Sequence, residues 1–120
     1  MLPSTNDAAF LWDMLDAAQA VSSFVASRAY QDYVQDRMLR GAVERHLEIL
    51  GEAAGRVSGA FREDHPEIPW RAAIGLRNVL AHDYGDIKHD KVWDVATEAI
   101  PALIVILESL VPAAPDSQLP

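Results

Sequence analysis

The chain has 120 residues, of which 50% are hydrophobic and none is cysteine, and its formal net charge is −8. This length predicts one domain with its own apolar core, and the absence of cysteine excludes disulfides and thiolate metal sites. The acidic charge argues against a protein that attracts nucleic acid by a broadly basic surface.

The first half of the chain predicts two helices. Asn6 or Asp7 can cap the first, whose apolar residues recur at spacings of three and four: Phe10, Met14, Ala17, Val21, Phe24 and Val25. The second begins near Asp32, with a core face formed by Met38, Ala42, Leu47, Leu50, Ala54, Val57 and Phe61. Four glycines lower its helix propensity and predict a closely packed neighbouring helix: Gly41, Gly51, Gly55 and Gly59.

Two prolines separate the second helix from the third. Pro66 and Pro69 cannot both lie inside a helix, and Pro69 suits the first turn of a helix from about Trp70 to about His82. Gly85 is a natural stop for that helix.

A fourth helix follows, which Asp90 can cap. Its apolar face is formed by Val92, Trp93, Ala96, Ile100, Leu103, Leu107 and Leu110. Pro101 predicts a kink in this helix. No strand pattern or repeat is present, so we expect an all-α, up-and-down four-helix bundle over residues 1–112, followed by a frayed tail over residues 113–120.

Neither a membrane span nor a signal peptide is predicted. No uninterrupted apolar run approaches the roughly 18 residues that cross a bilayer, and the N-terminus lacks a basic region followed by a long apolar region. We therefore expect a cytoplasmic protein.

The positive charge is concentrated in the middle of the sequence. Residues 37–77 contain seven arginines against six acidic residues, whereas the segments on either side are strongly acidic. Arginine is well suited to binding phosphate. The simpler interpretation, which charge alone favours, is a solvated helix face with ion pairs of the kind that Arg40 and Arg45 can make with Glu44 and Glu48.

The end of the third helix carries the most reactive set of side chains. At 100° per residue, Asn78 and His82 share one arc, Arg77 and Tyr84 share another, and Arg77 lies about 140° from His82. Arg77 and His82 would therefore flank a groove without touching. A second copy across a two-fold axis, or another helix of the same chain, could complete such a site.

The octet Arg77-Asn78-Val79-Leu80-Ala81-His82-Asp83-Tyr84 matches the Arg-x4-His-x-Tyr motif of HepT-like toxins, a branch of the HEPN ribonuclease superfamily. Three other blocks are similar to family features in the same order: Leu50-Gly51-Glu52-Ala53, His65-Pro66-Glu67-Ile68-Pro69-Trp70 and Val92-Trp93. The resemblance covers most of residues 7–110.

This resemblance implies a HEPN-like helical homodimer with a metal-independent endoribonuclease site at the dimer interface and no cofactor. Arg77 and His82 would be catalytic, and Asn78 would assist them. The partner would be a nucleotidyltransferase antitoxin of the MntA type, which silences the nuclease by attaching AMP to Tyr84. The implied function is the toxin of a type VII toxin–antitoxin system.

The chemistry of these side chains is compatible with RNA cleavage. A histidine can transfer a proton to or from the reacting oxygens, and an arginine can stabilise charge on the phosphate. The expected products carry a 2′,3′-cyclic phosphate and a 5′-hydroxyl. The alternative is a non-catalytic helical module that binds a nucleotide or scaffolds a nucleotidyltransferase.

Other polar and aromatic residues have simpler interpretations. His46 is expected to be structural and His65 to contribute to a turn. The spacing of Asp86, His89 and Asp90 is irregular, so no metal site is predicted there. Two tryptophans are expected to anchor the core, although an aromatic ring near the motif could stack on a base: Trp70 and Trp93.

Overall fold

A computed structural model describes residues 3–83, 85 and 87–111, and every regular element in these ranges is a helix. The helices are α1 Thr5–Val25, α2 Tyr30–Gln35, α3 Arg37–Arg56, α4 Gly59–Asp64, α5 Trp70–His82, α6 His89–Asp94 and α7 Ile100–Leu110, with a π-helical segment Val95–Ala99 joining α6 to α7. The all-α prediction is confirmed. The predicted tail, residues 113–120, lies outside the described residues.

Helix α1 begins one turn earlier than predicted. Its cap is Ser4, whose Oγ accepts a hydrogen bond from the Asp7 N–H at 3.1 Å, so the predicted caps Asn6 and Asp7 were wrong. Asp7 is instead buried, and its carboxylate accepts hydrogen bonds from the N–H and the Oγ–H of Ser58 at 2.8 and 2.6 Å. This Asp7–Ser58 clasp ties the start of α1 to the start of α4.

The structure has three helices, α2, α3 and α4, where the sequence predicted a single second helix. Asp36 ends α2 and caps α3, because its carboxylate accepts from the Leu39 N–H at 3.0 Å. Ser58 caps α4 in the same way, accepting from the Phe61 N–H at 3.2 Å. A side chain that binds backbone N–H groups at each of these points offers the chain an alternative to a continuous helix.

The last helix is irregular at the place where Pro101 predicted a kink. In the π-helical segment the Ile100 N–H bonds to the carbonyl of Val95, five residues back. Thr97 Oγ1 donates to the Trp93 carbonyl at 2.8 Å. The wider turn lies directly before Pro101, which has no N–H and whose ring would crowd the preceding turn of a regular helix.

The four long helical segments pack side by side. Helix α1 packs against both α3 and α7, and α3 packs against both α1 and α5. Among the described elements, α5 has its extensive contact with α3 alone, so it lies at one edge of the bundle. No helix within these residues is long and apolar enough to cross a membrane.

Candidate active site

The helix that carries the motif is also the least buried of the long helices. Only Trp70 and Leu80 of α5 are buried. Of its other apolar residues, Leu76 and Val79 are half-buried, and Ala72 is exposed. Because α5 lies at the edge of the bundle, most of its surface remains accessible.

Gly51 allows α3 to approach α5 closely at the position of Arg77. A Cβ atom at residue 51 would lie 2.3 Å from the Arg77 Cβ and 2.6 Å from the Ala73 carbonyl oxygen. Both distances are too short for any side chain, and neither atom can move without its helix. Gly51 therefore fixes the backbone of Arg77 against α3, which identifies α5 as the closely packed neighbour that the glycines predicted.

The Arg77 guanidinium is held on two sides and stays partly open. Its Nη1 donates to Asn78 Oδ1 at 3.2 Å, and its Nη2 lies 3.7 Å from Glu52 Oε1. Among the described residues its Nε is buried without a hydrogen-bond partner, and 32% of the side chain is exposed. Glu52 also lies 4.0 Å from Arg45. The guanidinium is thus oriented while keeping an unsatisfied donor.

His82 is the last residue of α5 and is exposed. Among the described residues its side chain makes no hydrogen bond and no ion pair. One copy of the chain thus brings the Asn78 side chain against Arg77, whereas the described residues show no hydrogen bond from either side chain to the His82 ring.

The predicted position of Tyr84 cannot be carried over to the structure. Tyr84 itself lies outside the described residues, and α5 ends at His82, where Asp83 is the C-cap. The position of Tyr84 beside Arg77 therefore stays a prediction.

Two open grooves run along α5. The α3 groove, between α3 and α5, has a volume of about 380 Å³ and is lined by Glu52, Gly55, Arg56, Ile74, Arg77 and Asn78, together with Gly51. The larger α4 groove, between α4, the following loop and α5, has a volume of about 1110 Å³. Ile74 and Asn78 line both grooves, so the two meet beside Arg77.

The other histidines have structural surroundings, as expected. His46 Nδ1 lies 2.9 Å from the Ala42 carbonyl, and its ring packs edge-on against Phe24. His65 bonds to Glu67 at 2.9 Å and packs against Phe61 in the turn before α5.

The aromatic residues also pack as anchors within the described structure. The buried Trp70 donates from its indole N–H to the His65 carbonyl at 2.9 Å. Trp93 packs against Tyr33, which is fully buried and also contacts the ring of His89 edge-on. His89 thus faces an aromatic ring, and no group of metal-ligand type gathers around it within the described residues.

Two residues that support Arg77 belong to a block that resembles the family, but the sequence did not predict that they contact Arg77. Gly51 and Glu52 were part of the Leu50–Ala53 block, but nothing in the sequence showed that they face Arg77, which is 26 and 25 positions further on. The glycine pattern of α3 was the available signal, and it indicated a close neighbour without identifying which helix.

The sequence was compared with known proteins. Residues 14–110 match the family model described as Ribonuclease HepT-like. A Methanocaldococcus jannaschii protein named as a candidate RNase is 39% identical over 95 residues, which cover 79% of this chain and 87% of the relative. A Thermococcus cleftensis protein named as a probable ribonuclease HepT is 34% identical, covering 78% of this chain and 86% of the relative.

A third relative, a candidate RNase of Caldanaerobacter subterraneus subsp. tengcongensis, is 32% identical and covers 78% of this chain and 84% of its own length. No solved structure matches the chain. The family match and these relatives agree with the motif on α5. The chain therefore belongs to the HepT-like ribonuclease family of the HEPN superfamily, and it is a ribonuclease.

Proposed function

We propose that this protein is a metal-independent endoribonuclease toxin, with Arg77 and His82 as catalytic residues and Asn78 as a positioning residue. The observation that carries the proposal is the guanidinium of Arg77, oriented by Asn78 and Glu52 yet partly open, on the same helix as an exposed His82. The family membership supports the reaction class.

The reaction needs two proton transfers and one site of charge stabilisation. The 2′-oxygen loses its proton and attacks the adjacent phosphorus, the bond to the 5′-oxygen breaks, and that leaving oxygen gains a proton. The products are a 2′,3′-cyclic phosphate and a 5′-hydroxyl. His82 would perform a proton transfer, which typically contributes roughly 10²–10⁴-fold to a rate. Arg77 would stabilise the charge on the phosphate oxygens.

A dimer would complete the site. Within one α5 helix, Arg77 and His82 project about 140° apart. The half-buried Leu76 and Val79 offer apolar surface on an edge helix that packs mainly against α3. Two α5 helices facing each other across a two-fold axis would place an Arg–His set from each copy along one shared groove. Light scattering of the purified protein tests for the dimer.

Regulation is proposed at Tyr84 by a nucleotidyltransferase antitoxin of the MntA type, in a type VII toxin–antitoxin system of the cytoplasm. AMP on this tyrosine would add bulk and negative charge two residues after His82, which would repel and obstruct the phosphate of a substrate. Incubating the protein with this antitoxin and ATP should add the mass of AMP to wild type and not to a Tyr84→Phe variant. Equal labelling of both proteins would show that AMP is attached to a residue other than Tyr84.

The main test compares wild type with His82→Ala in an RNA cleavage assay that contains EDTA. Wild type should release fragments with cyclic phosphate ends, and the variant should lose at least roughly 10²-fold in rate, in keeping with a lost proton transfer. Because His82 is exposed and unpaired among the described residues, the variant should keep the melting temperature and oligomeric state of wild type.

His46→Gln is the matched control, since it removes a histidine that packs in the bundle. It should lower stability and leave cleavage by the folded protein intact. If wild type cleaves no RNA in EDTA, or if His82→Ala cleaves like wild type, the proposal is wrong. The first of these results would favour a non-catalytic helical module that binds a nucleotide or scaffolds the nucleotidyltransferase.

A further inference from the structure

One face of α5 leads from the α4 groove to His82. Arg71, Ile74, Gly75 and Asn78 all line the α4 groove, at helix positions i, i+3, i+4 and i+7. His82 lies four residues beyond Asn78, so it continues the same face. A ligand lying along this face would extend from Arg71 to the end of the helix, roughly 16 Å away at 1.5 Å per residue.

The two grooves are positively charged in a protein that is acidic overall. Together they are lined by four arginines, Arg56, Arg62, Arg71 and Arg77, and by two glutamates, Glu52 and Glu63. The chain as a whole has a net charge of −8. Grooves of one sign raise the local concentration of ligands of the opposite sign, so these grooves favour an anion where the protein as a whole does not.

The arginines of the α4 groove are not neutralised by neighbours. Within the described ranges neither Arg62 nor Arg71 makes an ion pair, and the Nε of Arg62 is buried without a hydrogen-bond partner. Arg45, in contrast, pairs with Glu48 at 2.7 Å, as the simpler interpretation of the charge predicted. That interpretation therefore holds for Arg45, whereas the arginines of the α4 groove carry no such pair among the described residues.

The remaining lining of the α4 groove is suited to contact with the bases of a nucleic acid. Pro66, Pro69 and Ile74 give it apolar walls, and Gly75 leaves its floor open, since a Cβ there would meet nothing within 4 Å. Single-stranded nucleic acid is bound in this way, with cationic side chains on the backbone and apolar surface against the bases.

We propose that the α4 groove binds the single-stranded RNA that flanks the scissile phosphate, with Arg62 and Arg71 contacting its phosphates and Gly75 providing the room for the strand. This inference rests on the proposed ribonuclease function and adds the path of the substrate. It accounts for how an acidic protein attracts RNA, because arginines outnumber glutamates by four to two in the lining of the two grooves beside Arg77.

The first test measures the KM for a labelled 12-nucleotide single-stranded RNA in Arg62→Gln, Arg71→Gln and the double variant. Each single variant should raise the KM roughly tenfold, as expected for a lost hydrogen bond between charged groups. The rate at saturating RNA should change little. Each phosphate contact contributes about 0.7 to the slope of log affinity against log salt for single strands, so the double variant should lower that slope by about 1.4.

Arg37→Gln is the matched control. Arg37 is exposed and has no ion pair among the residues that the structure describes, but it lies at the start of α3, away from both grooves. It removes the same charge and should leave both the KM and the salt slope unchanged. If Arg62→Gln and Arg71→Gln behave like Arg37→Gln in a protein that cleaves RNA, the inference is wrong and the proposed function stands.

A second test fills the groove without changing charge. Gly75→Leu places a side chain in open space on the groove floor, and Gly41→Leu does the same on an exposed part of α3. Both should fold, since leucine is a better helix former than glycine. Only Gly75→Leu should raise the KM, by roughly tenfold or more, if the strand lies where we propose.

The oligomeric state decides between RNA and a second copy as the occupant of the groove. If Gly75→Leu dissociates the protein, or if the Arg62 and Arg71 variants do so, the α4 groove is an interface between copies and the inference is overturned. If wild type neither binds nor cleaves the RNA, the proposed function fails first, and the two failures are thereby distinguished.

Discussion

The two helices that pack against α3, α1 and α5, differ in how much of their surface is buried. On one side, α1 contributes eight buried residues out of 21 and packs against both α3 and α7. On the other, α5 contributes two buried residues out of 13 and packs mainly against α3. The first side contains most of the apolar burial, and the second contains the arginine and histidine of the motif.

The difference shows how a small protein can keep reactive side chains accessible without losing its fold. The hydrophobic stabilisation scales with buried apolar area, and most of that area lies away from the site. The α5 edge needs only enough contact to fix the helix, which Gly51 supplies through close backbone approach. Stability and activity should therefore respond to different substitutions.

The largest effect on stability is expected on the α1 side. Leu11 is fully buried, and Leu11→Ala should lower the free energy of unfolding by about 2–5 kcal/mol. Ile74→Ala on α5 removes a half-buried side chain of the same size and should cost less than half as much. Urea denaturation measures both. Equal losses would show that α5 belongs to the core in solution, as it would if a second copy buried it.

A substitution at Gly51 should affect both the stability of the fold and the cleavage of RNA. The added methyl group would meet the Arg77 Cβ and the Ala73 carbonyl, so α3 and α5 must separate. We expect Gly51→Ala to lower the free energy of unfolding by about 1–3 kcal/mol, the usual cost of overpacking, and to reduce RNA cleavage by moving Arg77.

Gly55→Ala is the control in the same helix, because its Cβ would lie 4.0 Å from Ile74 in ordinary contact. It should raise stability by up to about 1 kcal/mol through better helix propensity. Thermal unfolding and the cleavage assay separate the two variants. A Gly51→Ala protein with normal stability and cleavage would contradict the role given to this glycine.

The clasp between α1 and α4 should make stability depend on acidity. Burial disfavours the charged carboxylate of Asp7, but the hydrogen bonds from the Ser58 side chain and backbone outweigh it, so the pKa of Asp7 is lowered. The clasp therefore contributes fully above the unfolded pKa of about 3.9, and its contribution is lost as the pH falls through the lower folded value.

Asp7→Asn tests this dependence. It should cost about 1–3 kcal/mol at pH 7, because it weakens a hydrogen-bonded charged group. The difference in free energy of unfolding between the variant and wild type should become smaller as the pH falls below about 4. Chemical denaturation at several pH values measures it, with Asp13→Asn on the exposed face of α1 as the control. If that difference in free energy of unfolding does not change with pH, the charge of the Asp7 carboxylate does not stabilise the clasp.

The smallest effect on stability is expected at Glu52. The Arg77–Glu52 pair is about one-third exposed, so Glu52→Gln should change the free energy of unfolding by less than about 1 kcal/mol. It should nevertheless strengthen RNA binding, because the α3 groove loses a negative charge. Binding to the His82→Ala background by fluorescence anisotropy measures this. Weaker binding would show that the orientation of Arg77 matters more than the removed charge.

Much of the fold could be predicted from the sequence because apolar spacing is a local property. The range Trp70–His82 follows from Pro69 before it and Gly85 after it, and the structure confirms it. The second helix was predicted as one because its apolar pattern continues across Asp36 and Ser58. Both residues are good caps: in the structure Asp36 ends α2 and begins α3, and Ser58 begins α4 directly after Val57, the C-cap of α3.

The rest depended on contacts between distant segments. Asp7 has the sequence signature of a cap, but its partner is Ser58, which is 51 residues away. The motif predicted Arg77, Asn78 and His82 as site residues, and their roles stay a prediction; the structure adds the hydrogen bond from Arg77 to Asn78. The α4 groove joins α4, a loop and one face of α5, so no single segment of the sequence could reveal it.

The Asp7–Ser58 clasp has a practical consequence for anyone who shortens or labels this protein. Ser58 begins α4, and α4 forms one wall of the α4 groove. Removing the first seven residues would therefore release the wall of a groove that lies on a different part of the molecule. A dye or affinity tag that disturbs Asp7 should be avoided in binding measurements, whereas the exposed Asp13 face of α1 is a safer point of attachment.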